Sequence, residues 1–437
     1  MRKSRVSSEP AARPVVVWLR NDLRLRDNPA LAAAAASARP VIPLYILDDG
    51  PSAGRALAGA ARWWLHHRLI ALAASFDALG TGVGPAPRLL LRSGRAVDVL
   101  QDLIASTGAA RIFCNRTYDP LVDAADAALE TALRPAGVAF ERYAGGMLAE
   151  PDALLTGGGG PFRIFTPFWN CLQRLEPAAP LSAPRALPGY GAPVASERIE
   201  AWGLLPRTGW DAQFARLWLP GERGAAARLR AFLRGQSADY RGTRDFPALE
   251  GTSRLSPHLR FGEIRVRQVW HAFLRGPAGG RIELTGAGFL RELWQTGWLR
   301  NRLRMIVGSF LVKDLLIAWQ HGEAWFWDTL VDADRANNAL NWQWVSGCGV
   351  DAAPYFRIFN PVAQSRRFDP DGAYLRKWIP ELRALAAPLI HEPWTAAAGM
   401  LAAAGISLGE SYPRPIILHS EARKRALAVF EAMRRRA

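Results

Sequence analysis

Cysteine is scarce in this chain: Cys114, Cys171 and Cys348 are all there is in 437 residues. They lie far apart and form no Cys-x-x-Cys pair, which argues against a disulfide framework, a zinc site and a four-cysteine iron–sulfur cluster. A reducing setting follows, and the cytoplasm is the expected compartment. Long apolar runs are missing as well, and none approaches the roughly 20 residues that a membrane span needs. The basic start Met1-Arg2-Lys3-Ser4-Arg5 has no apolar stretch behind it, so it reads as a short disordered tail and not as a secretory signal.

Acidic residues are the minority, 39 Asp and Glu against 55 Lys and Arg, for a formal charge of +16. Such an excess invites a polyanionic partner, nucleic acid first. The excess is nearly all arginine and accompanies alanine runs such as Ala32–Ala36. Biased codon usage produces the same pairing, and net charge does not say where the arginines sit.

Two phosphate-binding signatures are absent. No G-x-G-x-x-G follows the first apolar run, Val15–Leu19, so the dinucleotide fingerprint is missing. The run Gly157–Gly160 has no Lys-Ser/Thr pair after it and reads as a flexible turn.

What is present is an ordinary globular composition, 49% hydrophobic and 22% charged, long enough for two or three domains. Short apolar runs at Val15–Leu19, Val41–Ile46, Leu89–Leu91, Ile112–Cys114 and Val138–Phe140 suit buried strands, separated by alanine- and leucine-rich stretches of helical length. The pattern predicts an α/β, doubly wound parallel-sheet domain over residues 14–143. Residues 144–210, punctuated by Pro161, Pro177, Pro180, Pro184, Pro188 and Pro193, read as an interdomain linker. Residues 211–437 read as an all-helical domain, with helices expected over Leu204–Trp218, Gly224–Leu233, Ile264–Leu274, Gly288–Trp319, Gly322–Leu330, Tyr374–Trp378 and Ser420–Arg435.

Three segments of that helical half carry unusual side chains. Tyr240-Arg241-Gly242-Thr243-Arg244 precedes Thr252-Ser253-Arg254-Leu255-Ser256, where hydroxyls and backbone N–H groups ahead of a helical stretch can cradle a phosphate. A simple helix cap is the competing reading. In Thr296–Met305, the residues Asn301, Arg304 and Met305 share one helical face, which suits a buried polar contact or else a solvated arginine face. In Val331–Trp344, Asp332 and Asp334 with Asn337, Asn338 and Asn341, Trp342 and Trp344 would be costly to bury without a polar aromatic ligand. A calcium loop is excluded there, because Ala336 and Asn337 occupy the places of a ligand and the turn glycine.

These segments, in this order, resemble the flavin-binding half of the DNA photolyase/cryptochrome family, bacterial cyclobutane pyrimidine dimer photolyases above all. Val17–Pro29, Arg62-Trp63-Trp64-Leu65, Glu150-Pro151, Phe165–Trp169, Asp351–Pro361 and Tyr412–Ile416 extend the resemblance over almost the whole chain. The resemblance implies an antenna-chromophore domain followed by a helical domain that binds FAD and DNA. It implies that Tyr240, Arg244, Thr252, Ser253, Arg254, Leu255 and Ser256 hold the phosphates and ribityl chain. Asn301, Arg304, Asp332 and Asp334 would line the isoalloxazine, with Asn338 facing its N5. Met305 and Trp344 match positions that touch a flipped-out lesion, and Trp342 and Trp319 match the inner members of a tryptophan relay that reduces the flavin. The implied activity is light-driven repair of cyclobutane dimers by a monomer acting on DNA. A cryptochrome-like photosensor and a degenerate DNA-binding relative are the alternatives. A second chromophore, folate, deazaflavin or flavin, goes with the first domain, where Asn115, Arg116 and Tyr118 mark a site.

The chain also departs from the family. Between about Trp270 and Thr296 it lacks several tens of residues, among them a helix that supplies an arginine for the flavin phosphates, a glutamate for the lesion and a tryptophan wall. Arg291-Glu292-Leu293 resembles the residues on both sides of the missing piece, as a deletion between short repeats would leave. Leu299-Arg300 stands where many relatives have Met-His. The expected consequence is weakened flavin retention and poor or absent repair.

Overall fold

In the computed structural model the described residues are 12–50, 55–80, 84–273, 289–350 and 356–435. The join around Gly279–Arg281 and the residues Asp351–Tyr355 lie outside them, as does the basic start.

The first domain alternates β1 (Val15–Leu19), α1 (Pro29–Ala36), β2 (Val41–Leu47), α2 (Gly59–Asp77), β3 (Leu90–Ser93), α3 (Ala96–Thr107), β4 (Arg111–Asn115), α4 (Pro120–Leu133) and β5 (Ala139–Tyr143). All five strands pair in parallel, in the order β3-β2-β1-β4-β5, as the apolar runs predict. Because side chains alternate across a strand, β1 feeds two cores. Val15, Val17 and Leu19 face one that includes α1 and α2, and Val16 and Trp18 face one that includes α3 and α4. Asn28 caps α1 by accepting from Leu31 N at 3.1 Å, with Pro29 in the first turn.

The following stretch is mostly irregular, apart from α5 (Phe165–Leu172) and short 3-10 turns. Its Leu187, Ile199, Trp202 and Leu204 nevertheless join the core beside α2. Leu204–Trp218 is not the expected helix, since only α6 (Phe214–Leu217) forms there. Pro206 and Gly209, the latter at φ +68°, interrupt what precedes it.

The second domain is helical: α7 (Glu222–Ala231), α8 (Tyr240–Thr243), α9 (Ser256–Arg260), α10 (Val266–Phe273), α11 (Phe289–Thr296), α12 (Asn301–Ser309), α13 (Trp319–Thr329) and α14 (Arg335–Ser346). Beyond these come α15 (Pro361–Phe368), α16 (Ala373–Trp378), α17 (Ala387–Ile390), α18 (Ala398–Ala403) and α19 (His419–Arg434). The expected single run Gly288–Trp319 is broken twice. Gly297 turns the chain at φ +63°, where a Cβ would come within 2.5 Å of the Phe214 ring. A π-helical turn over Phe310–Asp314 then ends the run before Leu316, which takes φ +56°. Phe214, Trp218, Phe261 and Trp298 pack into the same core as α1 and α2, so the two domains share apolar contacts.

Candidate functional site

A cleft of about 1560 Å³ opens where the α/β domain meets α8, α9, α12 and α14, larger than the usual pocket for a small ligand. A second, smaller cavity of about 70 Å³ adjoins it behind Asn301, Arg304 and Asp332, which line both. Eleven arginines line the large cleft against four aspartates, so the site itself is basic, beyond what net charge alone could show.

The hydroxyl segment sits on one wall of the cleft. Leu255, not a serine or threonine, occupies the cap position of α9, and no side chain caps that helix. The capping alternative therefore fails. Thr252 Oγ1 is buried without a hydrogen-bond partner, and Ser256 Oγ accepts from Trp298 Nε1 at 2.9 Å. Ser253 Oγ accepts from Leu255 N at 3.4 Å. Arg254 takes φ +50°, lies over the Trp298 ring at 5.3 Å, donates to Glu250 at 2.7 Å and leaves Nε unpartnered. Arg244, whose guanidinium lies over Tyr240 at 5.5 Å, also has a buried Nε without a hydrogen bond.

Arg300 stands next to this wall. It is 2% exposed, donates through Nη2 to Leu249 O, and has Nε and Nη1 without hydrogen-bond partners. Burial pushes its pKa below the usual arginine value, against the pull of Glu292. Arg260, which donates to Ala333 O and Asn21 Oδ1, is lowered by burial in the same way. On the first domain's side, buried Arg265 pairs through Nη1 with Asp27 at 3.7 Å, leaves Nε and Nη1 without hydrogen bonds, and is brought down by burial to about 10. Buried donors without hydrogen-bond partners cost free energy unless an acceptor meets them, so the donor set suits an anionic ligand.

On the opposite wall Arg304 donates to both carboxylate oxygens of Asp332 at 2.9 and 2.8 Å and to Leu299 O at 2.7 Å. Asn301 Nδ2 lies 3.9 Å from Met305 Sδ, so Asn301, Arg304 and Met305 do share the cavity face of α12. Asp334 caps α14, accepting from Asn337 N at 2.9 Å. Asn338 and Trp342 line the smaller cavity, and Trp344 the larger. Trp342 is buried edge-on to Phe326 at 5.1 Å, with Nε1 unpartnered. Trp319 is not among the residues lining either cavity; it packs against the core formed by α11 to α14.

Asn115 is buried and fully engaged, donating to Asp22 and Asn28 and accepting from Ala30 N, so its side chain braces the end of β4, while Tyr118 lines the cleft. Glu292 is buried and accepts from Tyr374 Oη at 2.7 Å, and burial raises its pKa. Sequence reasoning gave no role to Trp298, Arg260, Arg265 or Arg55. Trp298 stands in a motif that offered the signal, whereas Arg55 comes from the other domain and nothing local points to it. Among the described residues no cluster suits a metal ion, and no helix is long and apolar enough to cross a membrane.

Residues 15–185 match the family model described as DNA photolyase, and residues 284–432 match the one described as FAD binding domain of DNA photolyase. The chain is 43% identical to a deoxyribodipyrimidine photo-lyase of Agrobacterium fabrum over 483 aligned positions, covering 97% of this chain and 98% of that one. It is 34% identical to cryptochrome-1 of Arabidopsis thaliana, covering 94% of this chain and 69% of that one. The crystal structure of a bacterial class III photolyase from Agrobacterium tumefaciens superposes with a TM-score of 0.91 at 41% identity, covering 99% of this chain and 100% of that one.

Proposed function

This chain belongs to the DNA photolyase/cryptochrome family, and from that membership we propose that it is a deoxyribodipyrimidine photolyase. It repairs cyclobutane pyrimidine dimers in DNA with light and FAD, as a cytoplasmic monomer. Residues 14–143 form its antenna-chromophore domain, 144–210 the connection, and 211–437 the flavin- and DNA-binding domain. The observation that carries this reading is the arginine-lined cleft with its unpartnered buried donors.

The residues present fit FAD. Thr252 Oγ1, Arg254 Nε and Arg244 Nε are donors awaiting acceptors, which a diphosphate supplies in number. With Tyr240, Ser253, Leu255 and Ser256 they hold the phosphates and ribityl chain. Asn301, Arg304, Asp332, Asp334 and Asn338 hold the isoalloxazine side. When bound and reduced, the light-excited flavin supplies the electron that splits the dimer and receives it back. The protein's part is to place the lesion. Met305 and Trp344 face the base pair of the flipped dimer, and the cleft arginines hold DNA phosphates without reading sequence. Trp342 and Trp319 serve as the inner relay pair. A second chromophore, a folate, deazaflavin or flavin, belongs to the α/β domain.

We also propose that a segment is missing between Trp270 and Thr296. The 483-position alignment is longer than this 437-residue chain, so it holds positions that this chain does not fill. One wall of the flavin site goes with that segment, and weaker retention is the expected result. The visible absorption of the purified protein tests both points, read before and after gel filtration. Flavin bands that fall on filtration and return with added FAD support the reading. Salt-dependent DNA binding with no flavin uptake at any FAD concentration would contradict it and favour the degenerate DNA-binding relative. Flavin photoreduction without dimer splitting would favour the cryptochrome alternative.

A further inference from the structure

The side-chain amide of Asn338 is held by Glu323. Its Nδ2 donates to the backbone oxygen of Glu323 at 2.9 Å and to Glu323 Oε1 at 2.8 Å. A carbonyl and a carboxylate can only accept, so the amide nitrogen must face them and the carbonyl Oδ1 must face away. The orientation of the amide is thus set by where the Glu323 carboxylate stands.

That carboxylate is in turn held from the other domain. Arg55 Nη1 donates to Glu323 Oε1 at 2.7 Å and Oε2 at 2.8 Å. Its guanidinium lies 4.5 Å from the ring centre of Trp327, one helical turn beyond Glu323 on α13, and Trp327 Nε1 donates to Ala56 O at 3.0 Å. The segment ahead of α2 is therefore fixed to α13 at two points, and Arg55 has little freedom to leave the carboxylate. Among the described residues no other cation pairs with Glu323 to keep Oε1 over the amide.

We infer that Arg55 is a positioning residue for the flavin site: through Glu323 it fixes Asn338 with Oδ1 as an acceptor toward the cavity that Asn338 lines. This inference rests on the flavin reading above. An acceptor at that place stabilises a flavin that carries a proton on the facing nitrogen and offers nothing to one that does not. Reduced flavin is the form so favoured, and an arginine of the α/β domain controls that preference through Glu323.

The test compares the parent with Arg55→Ala, Arg55→Lys, Glu323→Gln and the Arg55→Ala/Glu323→Gln double variant. Each is supplied with excess FAD, photoreduced without oxygen in the presence of a thiol, and then opened to air. Recovery of the oxidised-flavin absorption gives a rate, and circular dichroism checks the fold. Arg55→Ala is expected to reoxidise roughly tenfold faster, the scale of one hydrogen bond, with Arg55→Lys restoring most of the delay. The double variant should reoxidise no faster than Arg55→Ala, because the two residues act as a unit. A purely structural role would lower the melting temperature and leave the reoxidation rate alone. A folded Arg55→Ala protein that binds flavin and reoxidises at the parent's rate overturns the inference. A parent that takes up no flavin from excess FAD overturns the flavin reading and this inference together.

Discussion

Gly322 and Trp342 show how closely single residues define the smaller cavity. A Cβ on Gly322 would lie 2.1 Å from Trp342 Cη2, against a ring that is already buried. Gly322→Ala must displace the indole, and overpacking of this kind costs about 1–3 kcal/mol. A urea titration of the variant should show a lowered midpoint at unchanged slope, and an unchanged midpoint would mean that the ring is free to move. Much at this scale was legible in the sequence. Asn301, Arg304 and Met305 were placed on one face by helical spacing alone, and Thr252 to Ser256 were flagged by hydroxyl content. Local sequence could not tell a cap from a cradle. The observation that Leu255 holds the cap position and no side chain caps α9 removes the cap reading. Arg55 was illegible for another reason, since its partner Glu323 is far along the chain and in another domain.

At the scale of elements, the strands were the readable part. Buried parallel strands are continuous apolar runs, and β1 to β5 fall on the five runs within a few residues. Helices of the second domain were readable in kind but not in extent, because α11 and α12 are separated by a turn at Gly297 that tertiary contacts with Phe214 and Val331 demand. The π-helical turn after α12 carries a consequence of its own. It buries Lys313, which donates to Arg357 O at 2.8 Å and lies 4.3 Å from the Phe356 ring centre, and burial pushes its pKa down to about 8. The unfolded chain keeps this proton up to the usual value near 10.5. Between those limits the unfolded state binds more protons, so this group's contribution to stability rises with pH. Relative to Lys313→Met, which cannot titrate, the parent should gain roughly 2 kcal/mol between pH 8 and pH 10.5. Urea midpoints of both proteins across that range check it, and parallel curves would show that Lys313 titrates normally.

At the scale of the molecule, the excess positive charge is put to use in one place. Arginines of both domains converge on the cleft, where several have buried nitrogens without partners. Composition gave the sign of the partner, and only the fold shows that the charge is focused. The proposed loss of a segment between Trp270 and Thr296 would take one wall of this cleft and leave these arginines in place. The most direct measurement uses an oligonucleotide carrying cyclobutane thymine dimers, incubated with the protein and added FAD in darkness and under blue light, with dimers counted by chromatography. Dimers should disappear in the light alone, and more slowly than with the Agrobacterium photolyase under the same illumination. Unchanged dimers after illumination of protein shown to hold flavin would contradict the assignment, and repair as fast as the relative's would contradict the cost assigned to the missing segment.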